Sequence, residues 1–260
     1  MVIGCPILML FIRSLLFSCA QLITTIIFSL LGVLLWPLSF KWRYKVVSKW
    51  ASLNLWLLKV FCGISFSVEG YENIPDEPCL IMCKHQSAWE TLALQVIFPQ
   101  QVWVMKRELL WIPFFGWGLA ALNPIAIDRG AGRKALSQVV EQGKDRLASG
   151  SFIVIFPEGT RIPIGQIGRF GIGGAKLAVD AEVGIIPVAH DAGKAWPKNS
   201  FIKTPAEIKV VIGEKIEVQD MTAGDVNKRV YQWMESKMTE LEGIQPVSST
   251  VMENKHGKNR

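Results

Sequence analysis

The segment Lys84-His85-Gln86-Ser87-Ala88-Trp89-Glu90 sets a histidine five residues before a carboxylate, where an apolar run gives way to a helical pattern. In one continuous helix that spacing would hold the side chains about 140° apart, unable to meet. With His85 on the turn before the helix and Glu90 in its first turn, the carboxylate can point back at the imidazole. It would then bond one ring nitrogen, fix the tautomer, and leave the other nitrogen to take a proton. That is the base half of a catalytic triad, with a substrate hydroxyl as nucleophile. The same residues fit a capping box, Ser87 as N-cap and Glu90 at N3, worth about 1 kcal/mol of helix stability. On spacing alone the cap is the stronger reading, although it gives His85 no task.

A second constellation follows the run Phe152-Ile153-Val154-Ile155-Phe156, where Pro157-Glu158-Gly159-Thr160-Arg161 forms a turn carrying both charge signs. The planar fork of Arg161 suits a phosphate or a carboxylate. Taken singly, this is an ordinary charged turn. Cys79, Cys83 and His85 suggest a metal, but Cys79 and Cys83 lie on one apparent strand, roughly 13 Å apart, too far for one ion. No metal and no cofactor is expected. Five cysteines, three of them in apolar N-terminal stretches, give no sign of a disulfide framework.

These residues need elements to hold them. Short apolar runs separated by Gly and Pro predict strands at 65–69, 79–83, 102–105, 124–127, 152–156, 184–188 and 207–212. Helical patterns fall at 88–97, 132–147, 173–179 and 223–241. Strands alternating with helices indicate an α/β fold, a largely parallel central sheet flanked by helices. Sites in such sheets form at the carboxyl ends of strands, where both constellations sit.

The charge is uneven. Arg13, Lys41, Arg43, Lys45, Lys49 and Lys59 precede the first acidic residue, Glu69; without them 22 basic residues face 22 acidic ones. That argues against a nucleic-acid partner, whose basic patch would belong to the fold itself, and suits a segment held against anionic lipid. No charged residue occurs between Ser14 and Phe40, long enough to cross a membrane. The uncharged start and the length of the apolar run favour a retained anchor over a cleaved signal peptide. A basic, aromatic cluster, Lys41-Trp42-Arg43-Tyr44-Lys45, and an amphipathic stretch at 46–61 follow, as at a lipid interface. We expect a two-helix membrane-associated anchor over 1–62, a catalytic domain over 63–242 and a disordered tail over 243–260. The positive-inside bias puts the catalytic domain on the cytoplasmic side.

His-x4-acid followed some seventy residues later by Phe-Pro-Glu-Gly-Thr-Arg resembles the glycerolipid acyltransferase family, specifically the 1-acylglycerol-3-phosphate acyltransferases. Lys106-Arg107-Glu108-Leu109 through Trp117 to Ile127-Asp128-Arg129, and Ile185-Ile186-Pro187-Val188-Ala189, are similar to the family's other blocks. The resemblance implies that His85 takes the proton of the acceptor hydroxyl, which attacks an acyl thioester directly, while Glu90 orients the histidine. It implies that Glu158, Gly159 and Arg161, with Lys106 and Arg129, hold the acceptor's phosphate; Arg107 is less firmly matched. The partners implied are membrane lipid, a lysophosphatidic acid acceptor, and acyl-CoA or acyl carrier protein as donor, at the inner membrane of a bacterium. The family pattern has Asp where this chain has Glu90. The extra methylene asks the loop to move about 1 Å, a misplacement that costs about a hundredfold in rate if uncompensated.

Other acceptors, such as a lyso-ornithine lipid or another lysophospholipid, fit the same residues. A hydrolase would need a positioned Ser or Cys, and no Gly-x-Ser-x-Gly occurs. A non-catalytic lipid-binding protein would use Glu90 only as a cap. Trp111, Phe114, Phe115 and Trp117 are candidates for lining an apolar site.

Overall fold

Three runs made almost wholly of apolar side chains, β2 (Leu80–Cys83), β5 (Phe152–Ile155) and β6 (Ile185–His190), are buried at every position, as strands covered on both faces must be. They form the middle of a seven-stranded sheet in a computed structural model that describes residues 6–128, 130 and 132–243. The remaining strands are β1 (Ile64–Glu69), β3 (Gln101–Lys106), β4 (Ile125–Ile127) and β7 (Ala206–Ile212). The order is β1-β7-β6-β2-β5-β3-β4. Ile81 lies opposite both Val154 and Ile186, and every pairing is parallel except β6 with β7. All seven expected strands are present, with ends moved by one or two residues.

Alternation along the strands divides the core into two layers. Ile81, Cys83, Val154 and Val188 face α1 (Pro6–Leu34), α3 (Lys49–Leu57) and α4 (Trp89–Ile97). Leu80, Met82, Ile153 and Ile155 face α6 (Arg133–Ala148), α7 (Gly173–Asp180) and α8 (Ala223–Glu242). The last helix buries Val226, Val230, Met234 and Met238, four residues apart on one stripe, and starts at a capping box made by Thr222 and Asp225.

Sequence patterning missed α5 (Phe115–Ala121). Gly116 and Gly118 depress helix propensity there, and packing requires them. A Cβ on Gly116 would lie 2.2 Å from Leu110 O, and one on Gly118 2.7 Å from Ser29 Oγ on α1. Gly118 lets α5 close against α1, and Gly116 lets its first turn close on the Leu110 backbone just before it.

The N-terminal helices are not set apart from the sheet. After α1 come α2 (Phe40–Val47) and α3, which runs into a π turn at Leu58–Cys62. α3 was expected on the lipid surface, yet Ala51, Leu55 and Leu58 are core residues, leaving Trp56 and Val60 exposed. Asn54, fully buried, ties α3 to α1 through Thr24 Oγ1 at 3.2 Å. The stretch Ile7–Leu34 is long and apolar enough to cross a membrane by length and composition. It nonetheless meets the rest of the fold at both ends. Phe11 stacks near Phe201, Ser14 Oγ accepts from Lys203 N at 2.9 Å, and Ser29 touches α5. Arg13, half-buried, donates through Nε to Phe61 O. The expected tail beyond Gly243 lies outside the described residues.

Candidate active site

β2 ends at Cys83, and the chain turns through Lys84, His85 and Gln86 before α4 begins. Glu90, in the first turn of α4, reaches back across that turn. Its Oε1 accepts from His85 Nδ1 at 2.7 Å, Gln86 N at 3.0 Å and Ser87 N at 2.8 Å, and its Oε2 from Ser87 N at 3.1 Å. Ser87 Oγ in turn accepts from Trp89 N at 3.1 Å. The expected capping box is not formed as drawn, since the N-cap of α4 is Ala88 without a side-chain cap bond; the carboxylate instead ties the turn before the helix and the imidazole together. The longer glutamate closes the contact without strain in its distance.

Burial alone would push Glu90 toward protonation. The His85 hydrogen bond, His190 and the Ser87 amide outweigh it and hold its pKa below the ordinary 4.5. A carboxylate only accepts, so Nδ1 of His85 carries the proton and Nε2 is the basic nitrogen. Among the described residues Nε2 makes no hydrogen bond, and the side chain keeps 15% of its exposure. The ring stacks on Phe156, centroids 3.9 Å apart at 12°. Cys83 is no rival nucleophile: burial first, then the charges of Glu90 and Glu158, pushes its thiol well above the usual range.

Sequence reasoning missed His190, at the end of β6. Its Nε2 donates to Lys84 O at 2.9 Å, its Nδ1 accepts from Ala192 N at 3.2 Å, and Nε2 lies 4.0 Å from Glu90 Oε2. Burial lowers its pKa, so it is neutral and buttresses the turn. The signal was available, since it is one of three histidines and directly follows the block ending at Ala189.

The residues expected around a phosphate divide. Glu158 is turned inward, its side chain fully buried against Lys84, with Nζ 2.8 and 2.9 Å from its two oxygens. The same oxygens accept from His85 N at 3.0 Å and Gly168 N at 2.8 Å. With both oxygens occupied by donors, and with a charge that repels anions, Glu158 is a bracket for Lys84 and His85 rather than a phosphate contact. Gly159 has φ +66° and donates its N–H to Phe156 O at 3.0 Å, closing the turn. Arg161 is half-buried and Lys106 exposed, and neither forms an ion pair among the described residues. Arg107 faces Asp128, 3.6 Å away at the surface. Arg129 lies outside the described residues.

Strands β2, β5, β3 and β4 are adjacent and parallel, so their carboxyl ends share one edge. His85 and Arg161 follow β2 and β5 and Lys106 ends β3, and two strand spacings make about 10 Å between the exits of β2 and β3. Of the four aromatic candidates, Trp111 and Trp117 face outward, 70% and 44% exposed. Phe115 turns inward to a cavity of about 50 Å³ shared with Phe28, Trp50 and Gln95.

The sequence profile of the acyltransferase family matches residues 65–191. A 1-acyl-sn-glycerol-3-phosphate acyltransferase of Pseudomonas aeruginosa is 44% identical over 239 residues, 90% of this chain and 93% of that protein. The human 1-acyl-sn-glycerol-3-phosphate acyltransferase alpha is 31% identical over 189 residues, 71% of this chain and 67% of its own. The crystal structure of the 1-acyl-sn-glycerophosphate acyltransferase PlsC from Thermotoga maritima shares the fold, with a TM-score of 0.73 at 23% identity, covering 89% of this chain and 96% of that one. With a relative this similar over nearly its whole length, the chain belongs to the glycerolipid acyltransferase family, an O-acyltransferase among the 1-acyl-sn-glycerol-3-phosphate acyltransferases.

Proposed function

We propose that this enzyme transfers an acyl group from acyl-CoA or acyl carrier protein to the free hydroxyl of lysophosphatidic acid, giving phosphatidic acid, with His85 as general base. The observation that carries this reading is the His85 ring, whose Nδ1 is committed to a buried carboxylate while Nε2 is uncommitted at an open sheet edge. The acceptor hydroxyl gives its proton to Nε2 as its oxygen attacks the thioester carbonyl carbon. Collapse of the tetrahedral intermediate breaks the C–S bond, and the departing thiolate takes the proton from His85. Arg161 and Lys106 supply positive charge on the same edge for the acceptor's phosphate. The curated relatives are named for this acceptor.

The outward face of α1, with Leu8, Leu15, Leu22, Ile23, Leu30 and Leu34 exposed, sits in lipid. Because both ends of α1 dock on the same domain, the helix lies in one leaflet, and the basic N-terminal segment holds the domain at the cytoplasmic face of a bacterial inner membrane.

The deciding experiment offers detergent-solubilised protein a panel of lysolipid acceptors with both thioesters. Diacyl product from lysophosphatidate that vanishes in His85→Ala is the expected result. Turnover on a different lysolipid alone reassigns the acceptor, and free fatty acid without diacyl product refutes the transfer.

A further inference from the structure

Glu242 is the last residue of α8 and stands 156 residues from Gln86 in sequence, yet the two side chains meet. Gln86 adjoins His85 and is 1% exposed. Its Nε2 donates to Glu242 Oε1 at 2.7 Å, and its Oε1 accepts from Gly193 N, just after β6, at 3.2 Å. The other oxygen of Glu242, Oε2, accepts from Gly165 N at 2.8 Å. Gly165 belongs to the irregular segment joining β5 to α7, which carries Glu158 and Arg161. Connections of that length without regular structure are uncommon and usually functional. This one is tacked down along its course by Ile162 N to His85 O at 2.8 Å, Gly168 N to Glu158 Oε1 at 2.8 Å, and Gly171 N to Pro157 O at 2.8 Å.

The location of Glu242 is unfavourable on local grounds. A carboxylate in the last turn of a helix opposes the macrodipole. Gly243, at φ +64°, ends the helix immediately after it, and no basic residue shares that turn. Two N–H donors from two different segments offset this cost, which makes Glu242 a tie between segments rather than a part of its own helix.

We propose that Glu242 is a positioning residue for acyl transfer, clamping the His85 turn through Gln86 and the Arg161 segment through Gly165 so that base and phosphate cations keep one register. The backbone N–H of Gln86 donates to Glu90, so fixing the Gln86 side chain also steadies the peptide that holds the dyad. The kinetic consequence rests on the acyl-transfer reading, whereas the clamp itself does not.

Hydrogen exchange and kinetics test the two separately. In Glu242→Ala, amide exchange should quicken in peptides covering 84–90 and 161–168 while the core strands keep their protection. Unchanged exchange in either peptide overturns the clamp, whatever the enzyme acylates. At a temperature where all variants are folded by circular dichroism, Glu242→Ala should lower kcat roughly 10-fold or more, since small misplacements far from the chemistry are costly. KM for lysophosphatidate should move less than kcat. The variant Q86E sets two carboxylates face to face and should be at least as poor. Combining it with E242Q restores every hydrogen bond, because the new amide donates to the carboxylate at 86 and its oxygen still accepts from Gly165 N. That exchanged pair should recover most of the lost kcat. Wild-type kcat in Glu242→Ala, or an exchanged pair no better than Q86E alone, overturns the inference. Activity surviving in His85→Ala instead refutes the assignment of the base and leaves the exchange result standing.

Discussion

Glu90 and Glu158 follow adjacent parallel strands, both have buried carboxylates, and both reach the His85 turn from opposite sides. They differ in the donors they meet. Glu90 takes a titratable ring nitrogen and two backbone amides, so its charge is passed to a group that can exchange a proton. Glu158 takes the lysine side chain and two backbone amides, so its carboxylate is committed to an ion pair and to the loop backbone. In the proposed mechanism the same residue type thus orients the base on one side, while on the other it holds the loop. Only the partner decides which.

Substitution should separate the two roles. Glu90→Gln forces an amide against His85 Nδ1 and disturbs the tautomer, and we expect kcat to fall roughly 10³- to 10⁴-fold, as for the comparable change in a triad. Glu90→Asp keeps a carboxylate and should retain measurable activity. A Gln variant as active as wild type would reduce Glu90 to a helix cap.

Glu158→Ala should act first on stability. It leaves Lys84, fully buried, without its counter-charge, a change that costs about 3–5 kcal/mol. Denaturant unfolding reads this directly. Lys84→Met combined with Glu158→Gln removes the buried charge and keeps an acceptor for the His85 and Gly168 amides, so it should be less destabilised than Glu158→Ala. A double variant as unstable as the single would mean that the ion pair is not what holds the turn.

The Glu90 side of the turn also holds two groups whose titration is shifted by folding. His190, beside Glu90, has its pKa lowered by burial from an ordinary 6.5, so the unfolded chain binds a proton that the folded chain refuses. Stability from this source is complete above pH 6.5 and falls as pH drops below it toward the folded value. Glu90, held below 4.5, gives stability that is complete above 4.5 and lost as pH falls through its folded pKa. Unfolding free energy should therefore decline on acidification in two stages, and His190→Gln, whose amide can still donate to Lys84 O, should remove the earlier one. An unchanged earlier stage would assign it to another group.

The same contrast explains what could be read from the sequence. Strands with continuous apolar runs, and the junctions after them, were legible because burial on both faces leaves few alternatives for such runs. The His85–Glu90 pairing was legible in part, since one helical turn fixes the reach. The inward turn of Glu158 was not, because the donor that captures it is Lys84, 74 residues away. α5 was hidden because its glycines serve close packing, Gly118 on α1 and Gly116 on the Leu110 backbone, against local propensity. Glu242 was hidden for the same reason as Lys84, since its partner Gln86 is brought near only by the fold, whereas His190 could be suspected from its place after the Ala189 block but its bond to Lys84 O could not be read.

The cationic half of the edge makes the smallest and most discriminating test. Arg161 follows the strand beside that of His85, while Lys106 lies one strand further and is exposed. If a planar fork binds the phosphate, Arg161→Lys should raise KM for lysophosphatidate by about tenfold, the loss of roughly one charge-assisted hydrogen bond. Lys106→Arg keeps the charge at a point contact and should change KM less. Arg107 is already paired with Asp128 at 3.6 Å across an exposed surface, where such pairs contribute about 0–1 kcal/mol, so Arg107→Ala should leave both kcat and KM within twofold of wild type. Should Arg107 matter more than Arg161, the phosphate lies nearer β4 than the order of strands suggests, and the open half of the site would have to be drawn around Asp128 instead.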